Sequence, residues 1–523
     1  MNSFLDRFSS SIHGILNGFD RIRFRGTQRL LASTRGLSRF LSMHSVLLKD
    51  FKPYVTHVSD TICNEVKAEA KRTGVAIEYV NDSSQSKEEL AAELAERAGR
   101  TTGLRAIRSA VEPCRTFFVR KNSATGLLEL QNRPGKCLHY YHYWRDEKLG
   151  PCHVRMQTWF PFNTFVCVNG REMLAGELTR EGIEFRQRDN GFTWVKDIGR
   201  AQPLLDAQVE MDWSAELTRL LTASHSGWSK WPGMDRAPYW SAEQTEWATD
   251  VMFQSGAELS RLMPSWIQHA MVGMGTGDVM KFLGRPVRKD GGVYKPFAGE
   301  VGTDYVKRPE GVRVAFRVNR NGVKFYDKQG SVFRVETTIS NARDMKSFRA
   351  KESEPEGKKA WRPMKKGVSD LPRRTQVSQK SNERCLEALA AVATEQTVGE
   401  LTAKVCARTK WKGRAVRALN PLAADDLKLL RAVARGEFAL NGFRNRDVRS
   451  ALFGVASDDA AETKKQSAAV TRRLRILRAH SVIQKVAKTH RYQVSPKGRE
   501  SIAAITTAHA AQPKTLQNLG KAA

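Results

Sequence analysis

Apolar and polar positions alternate most clearly between Phe297 and Ile339, where the pattern predicts an antiparallel meander. Val312, Val314, Phe316 and Val318 alternate with Arg313, Ala315, Arg317 and Asn319, and Asn321-Gly322 is a strong hairpin signal. The return strand sets Val323 and Phe325 against Lys324, Tyr326 and Lys328. After Gln329-Gly330, Phe333, Val335 and Ile339 oppose Arg334, Glu336 and Thr338. One face is therefore predicted apolar, and the other gathers Arg313, Arg317, Lys324, Tyr326, Lys328, Arg334 and Glu336. Upstream, Glu300 and Asp304 share the same parity.

The same reading divides the rest of the chain. Residues 1–110 form an N-terminal α/β region, with a strand at Phe19–Gly26, helices at Thr61–Arg72 and Lys87–Ala98, and a strand at Val75–Val80. Residues 111–203 form an antiparallel sheet region, with a turn at Asn122–Gly126, a bend at Pro161 and a helix from Gly170. Residues 204–342 combine a mainly helical segment with the meander. In that helical segment Glu243, Glu246 and Asp250 fall at i, i+3 and i+7, one face of a helix. Residues 343–381, with Glu354-Pro355-Glu356-Gly357-Lys358-Lys359, read as a basic linker. The expected class is α+β: an antiparallel-sheet body with helices, followed over 382–523 by a helical segment and a winged helix-turn-helix.

That last expectation rests on an ordered series. A short amphipathic helix opens at Phe443, a longer one covers Lys464–His480, and Val482-Ile483 and Tyr492–Val494 form a basic hairpin. Ser495-Pro496 then starts a closing helix, with Ser as cap and Pro at the first turn. Val470, Leu474 and Leu477 make one buried stripe, which leaves the basic side of the long helix in water, as a recognition helix requires. The candidate DNA contacts are Arg444, Arg446, Lys464, Lys465, Gln466, Arg472, Arg473 and Arg475, with Lys488, His490 and Arg491 on the hairpin. The segment resembles winged-helix domains of the MarR-like type.

Composition points the same way. The chain has 523 residues, with 86 Lys+Arg against 55 Asp+Glu, a net charge of +31. Such an excess favours a polyanionic partner, here nucleic acid and foremost DNA. No run of 18 apolar residues predicts a membrane span, and the N-terminal residues do not read as a signal peptide. Seven cysteines, an odd number without a C-x-x-C, fit reduced thiols in a cytoplasmic protein. Cys137, His139, His142, Cys152 and His153 cluster in sequence, but without the paired spacing of zinc knuckles.

Candidate chemistry centres on the polar face of the meander. A phenol beside cations is suited to attack a phosphodiester, so Tyr326 is the candidate nucleophile. Glu336, also a candidate catalytic group, would hold Mg2+ or Mn2+ with Glu300 or Asp304. Arg313, Arg317, Lys324, Lys328 and Arg334 would bind phosphates. Lys324–Glu336 resembles the K-x-Y-x-K…L-R-x-E stretch of rolling-circle replication initiators, which implies metal-dependent nicking through the tyrosine. Their His-hydrophobic-His motif has no counterpart in His139-Tyr140-Tyr141-His142, whose histidines point to opposite faces of a strand. Phe19–Gly26, Val111–Arg115, Gln157–Phe162, Tyr326–Glu336 and Leu440–Asp447 also resemble recurring stretches of a widespread bacterial family, in which only the C-terminal winged helix suggests a role. Asp20 and Glu112 sit at or beside predicted strands, yet no further acid stands at a telling spacing for a nuclease of the RNase H type.

The function expected is a DNA-binding protein of mobile-element or replication type. Its winged helix would address duplex DNA, and its basic body would hold or nick a strand. Two alternatives remain open at this point. One is a non-catalytic winged-helix transcriptional regulator. The other is an RNA-binding scaffold whose Tyr140–Trp144 and Trp159-Phe160 aromatics stack bases.

Overall fold

The computed structural model describes residues 2–81, 86–288, 297, 299–308, 311–351, 353–390, 398–435, 438, 442–454, 459–486 and 489–510, and among these nineteen strands with helices between them make a mixed α+β chain. The strands are β1 (Ile12–Thr27), β2 (Ile77–Tyr79), β3 (Gly103–Lys121), β4 (Leu128–Asp146), β5 (Gly150–Gln157), β6 (Thr164–Asn169), β7 (Phe185–Arg188), β8 (Gly191–Val195) and β9 (Tyr239–Phe253). They continue as β10 (Val301–Arg308), β11 (Gly311–Val318), β12 (Asn321–Lys328), β13 (Val332–Ile339), β14 (Lys346–Arg349), β15 (Ala360–Pro363), β16 (Thr409–Trp411), β17 (Arg414–Val416), β18 (Ile483–Lys485) and β19 (Tyr492–Val494).

Two compact units form, and neither is a single stretch of chain. The first holds residues 14–250 and 336–379; the second holds 1–13, 251–335 and 380–523. The divisions fall within β1, β9 and β13 and, between residues 379 and 380, within the helix Leu371–Ala390, inside the span expected as a linker.

In the first unit the strand order is β13-β9-β1-β6-β5-β4-β3-β2. Pairing is antiparallel from β1 through β3, but β2 lies parallel to β3, so the sheet is mixed rather than purely antiparallel. The helix Phe51–Thr73 shows how the covering layer arises. Phe51, Val55, Val58, Ile62 and Val66 recur at helical spacing and are all buried. Gly74, at φ +68°, ends the helix by returning its N–H to the Ala70 carbonyl. The core beneath it joins Phe19, Ile22 and Phe24 of β1 to Phe160, Trp213, Trp240 and Trp247. The aromatics at Tyr140, Tyr141, Tyr143 and Phe160 are buried in this unit and present no open stacking surface.

Two expectations fail here. Tyr239–Asp250 is not a helix but most of β9, and 343–381 is not a linker but the β14–β15 hairpin followed by the helix Leu371–Ala390. From Thr245 to Phe253 every residue of β9 is buried. A strand covered on both faces loses its alternation, and a short apolar run then reads equally well as a helix. The acidic stripe dissolves accordingly: period-2 geometry leaves Glu246 and Asp250 on one face and puts Glu243 on the other.

In the second unit β10-β11-β12-β13 form the expected meander, with Val314 facing Phe325 and Ala315 facing Lys324 across the β11–β12 pair. Val314, Phe316, Val323 and Phe325 are buried, while Arg313, Lys324, Tyr326 and Lys328 are partly open and Arg317 is exposed. The C-terminal part of this unit runs helix Asn445–Phe453, helix Ala460–Ala479, β18, β19 and helix Pro496–Ala510. Asn445 ties the first two helices together through the Ser467 carbonyl and the Thr471 hydroxyl, both at 2.9 Å. Val470, Leu474 and Leu477 join Val448, Leu452, Ile483 and Val494 in one core. Ser495 caps the last helix by accepting the Gly498 N–H at 2.9 Å.

Candidate metal centre

Three carboxylates converge on neighbouring strands of the first unit. Asp20 of β1, Glu246 of β9 and Glu336 of β13 each offer an oxygen, and these oxygens lie within 4.8 Å of one another. All three side chains are buried, at 5%, 6% and 0% exposure. The strand order β13-β9-β1 explains the convergence, because it places the three acids on adjacent strands. Like charges near 4 Å repel by about 4 kcal/mol per pair at an effective dielectric of roughly 20, so such a cluster calls for cations. Oxygen donors of this kind suit Mg2+ or Mn2+.

Arginines and amides frame the cluster. Arg21 Nη2 stands 3.0 Å from Glu246 Oε1, with its own side chain half-exposed, so it marks the solvent side. Burial opposes the charge on Arg21, but Glu246 outweighs it and holds the guanidinium pKa above its usual range. Gln244 donates to Glu246 at 2.9 Å, and Asn190, in the turn between β7 and β8, donates to Asp20 at 2.6 Å. Deeper in, the fully buried Arg171 pairs with Asp250 at 3.0 Å and also donates to the Ala248 carbonyl at 3.1 Å.

Beyond Asp20, β1 carries Arg21, Arg23 and Arg25 on its more open face, alternating with buried Ile22 and Phe24. Arg25 donates to Asn163 at 3.0 Å and reaches a cavity of about 310 Å3, lined also by Ser33, Thr34, Arg115 and Asn132. Asp20 shares the parity of Ile22 and Phe24, so of these three arginines Arg21 is the one that reaches the cluster, at Glu246, while Arg25 and Arg115 line the polar recess.

The residues expected to form the site are only partly brought together. Glu336 is in the cluster, but Glu300 and Asp304 belong to no close metal-ligating group among the described residues. They lie on or beside β10, with β11 and β12 between it and β13, and Asp304 is ion-paired with Arg317. Arg334 and Glu336 were expected on a wet face; both are fully buried, because β13 is covered on both sides. Tyr326 and Lys324 do share a face, with the ammonium 5.8 Å from the ring centroid. Glu112 is held by Tyr141 at 2.6 Å, Arg155 at 2.8 Å and Lys87 at 2.9 Å. Burial works to raise its pKa, but these partners keep it below the ordinary carboxylate range. Four strand spacings of about 4.8 Å separate β3 from β1, so Glu112 is no companion of Asp20.

A second close group lies on β3 and β4. Cys114 and Cys137 sulfurs are 3.4 Å apart, and His139 Nδ1 is 4.0 Å from the Cys137 sulfur. Burial, and then Arg155, push the His139 pKa down to about 4, which keeps the imidazole neutral. His142, Cys152 and His153, expected near these residues, are not members of the group. His142 packs instead against His225, with ring centroids 4.5 Å apart.

On the C-terminal helices, Arg446, Lys464, Lys465, Arg472 and Arg475 are exposed, and Arg444, Gln466 and Arg473 are half-buried. His490 is exposed, and Arg491 donates to the Gly442 carbonyl at 3.1 Å. Lys488 lies outside the described residues. Among the described residues, no helix is long and apolar enough to cross a membrane. No family model, curated protein or solved structure matches the chain.

Proposed function

We propose that the protein is a metal-dependent DNA-cleaving enzyme with its reaction centre at Asp20, Glu246 and Glu336. The observation that carries this reading is the meeting of three buried carboxylates on adjacent strands, with Arg21 3.0 Å from Glu246, in a chain of net charge +31. The carboxylates would hold Mg2+ or Mn2+, which would polarise a phosphodiester and activate water. Arg21, which reaches Glu246, would seat a phosphate of the strand. Water would lose a proton as it forms the new P–O bond, the bond to the departing sugar oxygen would break, and that oxygen would take up a proton. The C-terminal series of helix, helix, hairpin and helix is read as a winged helix that addresses the enzyme to duplex DNA.

The test is incubation of the full-length protein with Mn2+ or Mg2+ and labelled single-stranded or supercoiled DNA. Cleavage that disappears in Asp20→Asn, Glu246→Gln and Glu336→Gln is the expected result. Absence of cleavage on every substrate overturns the enzyme reading and leaves a DNA-binding regulator. The position of Tyr326 beside Lys324 favours a second reading, in which its phenol rather than water attacks. That reading requires a covalent protein–DNA adduct that Tyr326→Phe abolishes.

A further inference from the structure

The hairpin of β14 and β15 is built inside out. Phe348 and Trp361 stand directly opposite each other across the ladder, with ring centroids 5.7 Å apart and planes inclined at 55°. They are 58% and 67% exposed, among the most open large apolar side chains described. Arg349 and Arg362 occupy the half-buried face, where each donates to a backbone carbonyl of the partner strand. In a half-buried hairpin the rings would be expected inward and the guanidinium groups outward.

The surroundings say what such rings are suited to meet. Between Lys346 and Lys366 the sequence places eight lysines and arginines against three glutamates. Lys346 shares the aromatic face. Paired open rings among cations match the demands of a single strand, whose bases stack while its phosphates are neutralised. An apolar protein partner would gain nothing from so much positive charge. The root is fixed: Met345 and Met364 are buried and joined by a 3.0 Å hydrogen bond. The Lys366 carbonyl accepts from Ala242 of β9 at 2.8 Å. The hairpin therefore leaves the chain just after β13 and is tied back to β9, two of the strands that carry the carboxylates.

We propose that the β14–β15 hairpin is a base-stacking finger that takes unpaired bases of single-stranded DNA on Phe348 and Trp361. This rests on the nucleic-acid reading above and deepens it by naming unpaired bases as what is bound. Its test is binding without metal, so it stands or falls apart from cleavage. Full-length protein in EDTA is titrated, by fluorescence anisotropy, into a labelled 20-nucleotide oligo(dT), an abasic strand of equal length and a duplex. Wild type is expected to prefer oligo(dT) to the abasic strand. The Phe348→Ala/Trp361→Ala variant should lose that preference, with about 5- to 150-fold weaker oligo(dT) binding per ring. Its abasic and duplex affinities and its melting temperature should stay unchanged, and Trp361→Phe should stay within about three-fold of wild type. Equal oligo(dT) binding by wild type and the double variant overturns the proposal. So does a proportional loss on the abasic strand, or a change only in sedimentation, which would make the rings a contact between copies of the chain.

Discussion

The open face of β11 and β12 and the cluster on β1, β9 and β13 both gather charge, under opposite conditions. On the first, Arg317 pairs with Asp304 while both side chains remain substantially exposed, at 60% and 40%. Water screens such a pair, and forming it contributes little. In the second, Arg171 and Asp250 pair at 0% and 1% exposure, beside strands that carry three further buried acids. Charge removed from water costs several kcal/mol per ion unless partners offset it. A chain that keeps so many ionisable groups on central strands retains an arrangement that apolar residues would replace without loss of stability. Burial therefore separates the two sets of charges: those on β1, β9 and β13 depend on their partners, whereas those on β11 and β12 are screened by water.

Mutation can break that contrast at several scales. The largest effect expected is on chemistry: Glu336→Gln should lower the cleavage rate about 10^3-fold or more, and Tyr326→Phe less than about three-fold. A large loss in Tyr326→Phe alone would move the centre to the open face. Next is stability. Asp250→Ala, which leaves Arg171 buried and alone, should cost about 3–5 kcal/mol in denaturant titrations. Arg317→Ala should cost less than about 1 kcal/mol. Similar losses would show that burial does not separate the two pairs.

Acid should act on the first unit in the same sense. Burial lowers the pKa of His142 to about 3 and that of His153 to about 4, and burial with His142 drives His225 well below its usual value. The unfolded chain thus takes up protons that the folded chain refuses. Stability from these groups is complete above about pH 6.5 and declines toward the folded values, by about 1.4 kcal/mol per pH unit for each. Melting temperature should fall over that window, and His142→Gln should flatten the profile. A profile unchanged between wild type and His142→Gln would remove His142 from the account. The smallest effect belongs to the open face: Lys324→Ala should reduce the slope of log affinity against log salt for DNA by about one, with modest loss of affinity. No change in slope would exclude a phosphate contact there.

What could be read from sequence follows the same division. Alternation along Val312–Ile339 exposes β11 and β12 because one of their faces is wet. It says nothing true about Arg334 and Glu336, because β13 has no wet face. β9 was hidden for that reason too. Asp20 could be recognised as an acid in a strand, but its companions stand more than two hundred residues away, and only strand order brings them near. The C-terminal helices and hairpin fall where capping and periodicity predict them. Phe348 and Trp361 gave no signal, since strands of four residues set among lysines carry too little pattern to register.

The interleaving of the chain has a consequence for synthesis. Asp20 is made early, but Glu336 follows more than three hundred residues later. At about 5–20 residues per second, a nascent chain spends at least roughly fifteen seconds with one or two of its acids and not the third. An incomplete polypeptide cannot assemble the centre. Ribosomes that stall before β13 therefore leave Asp20 and Glu246 without the third carboxylate.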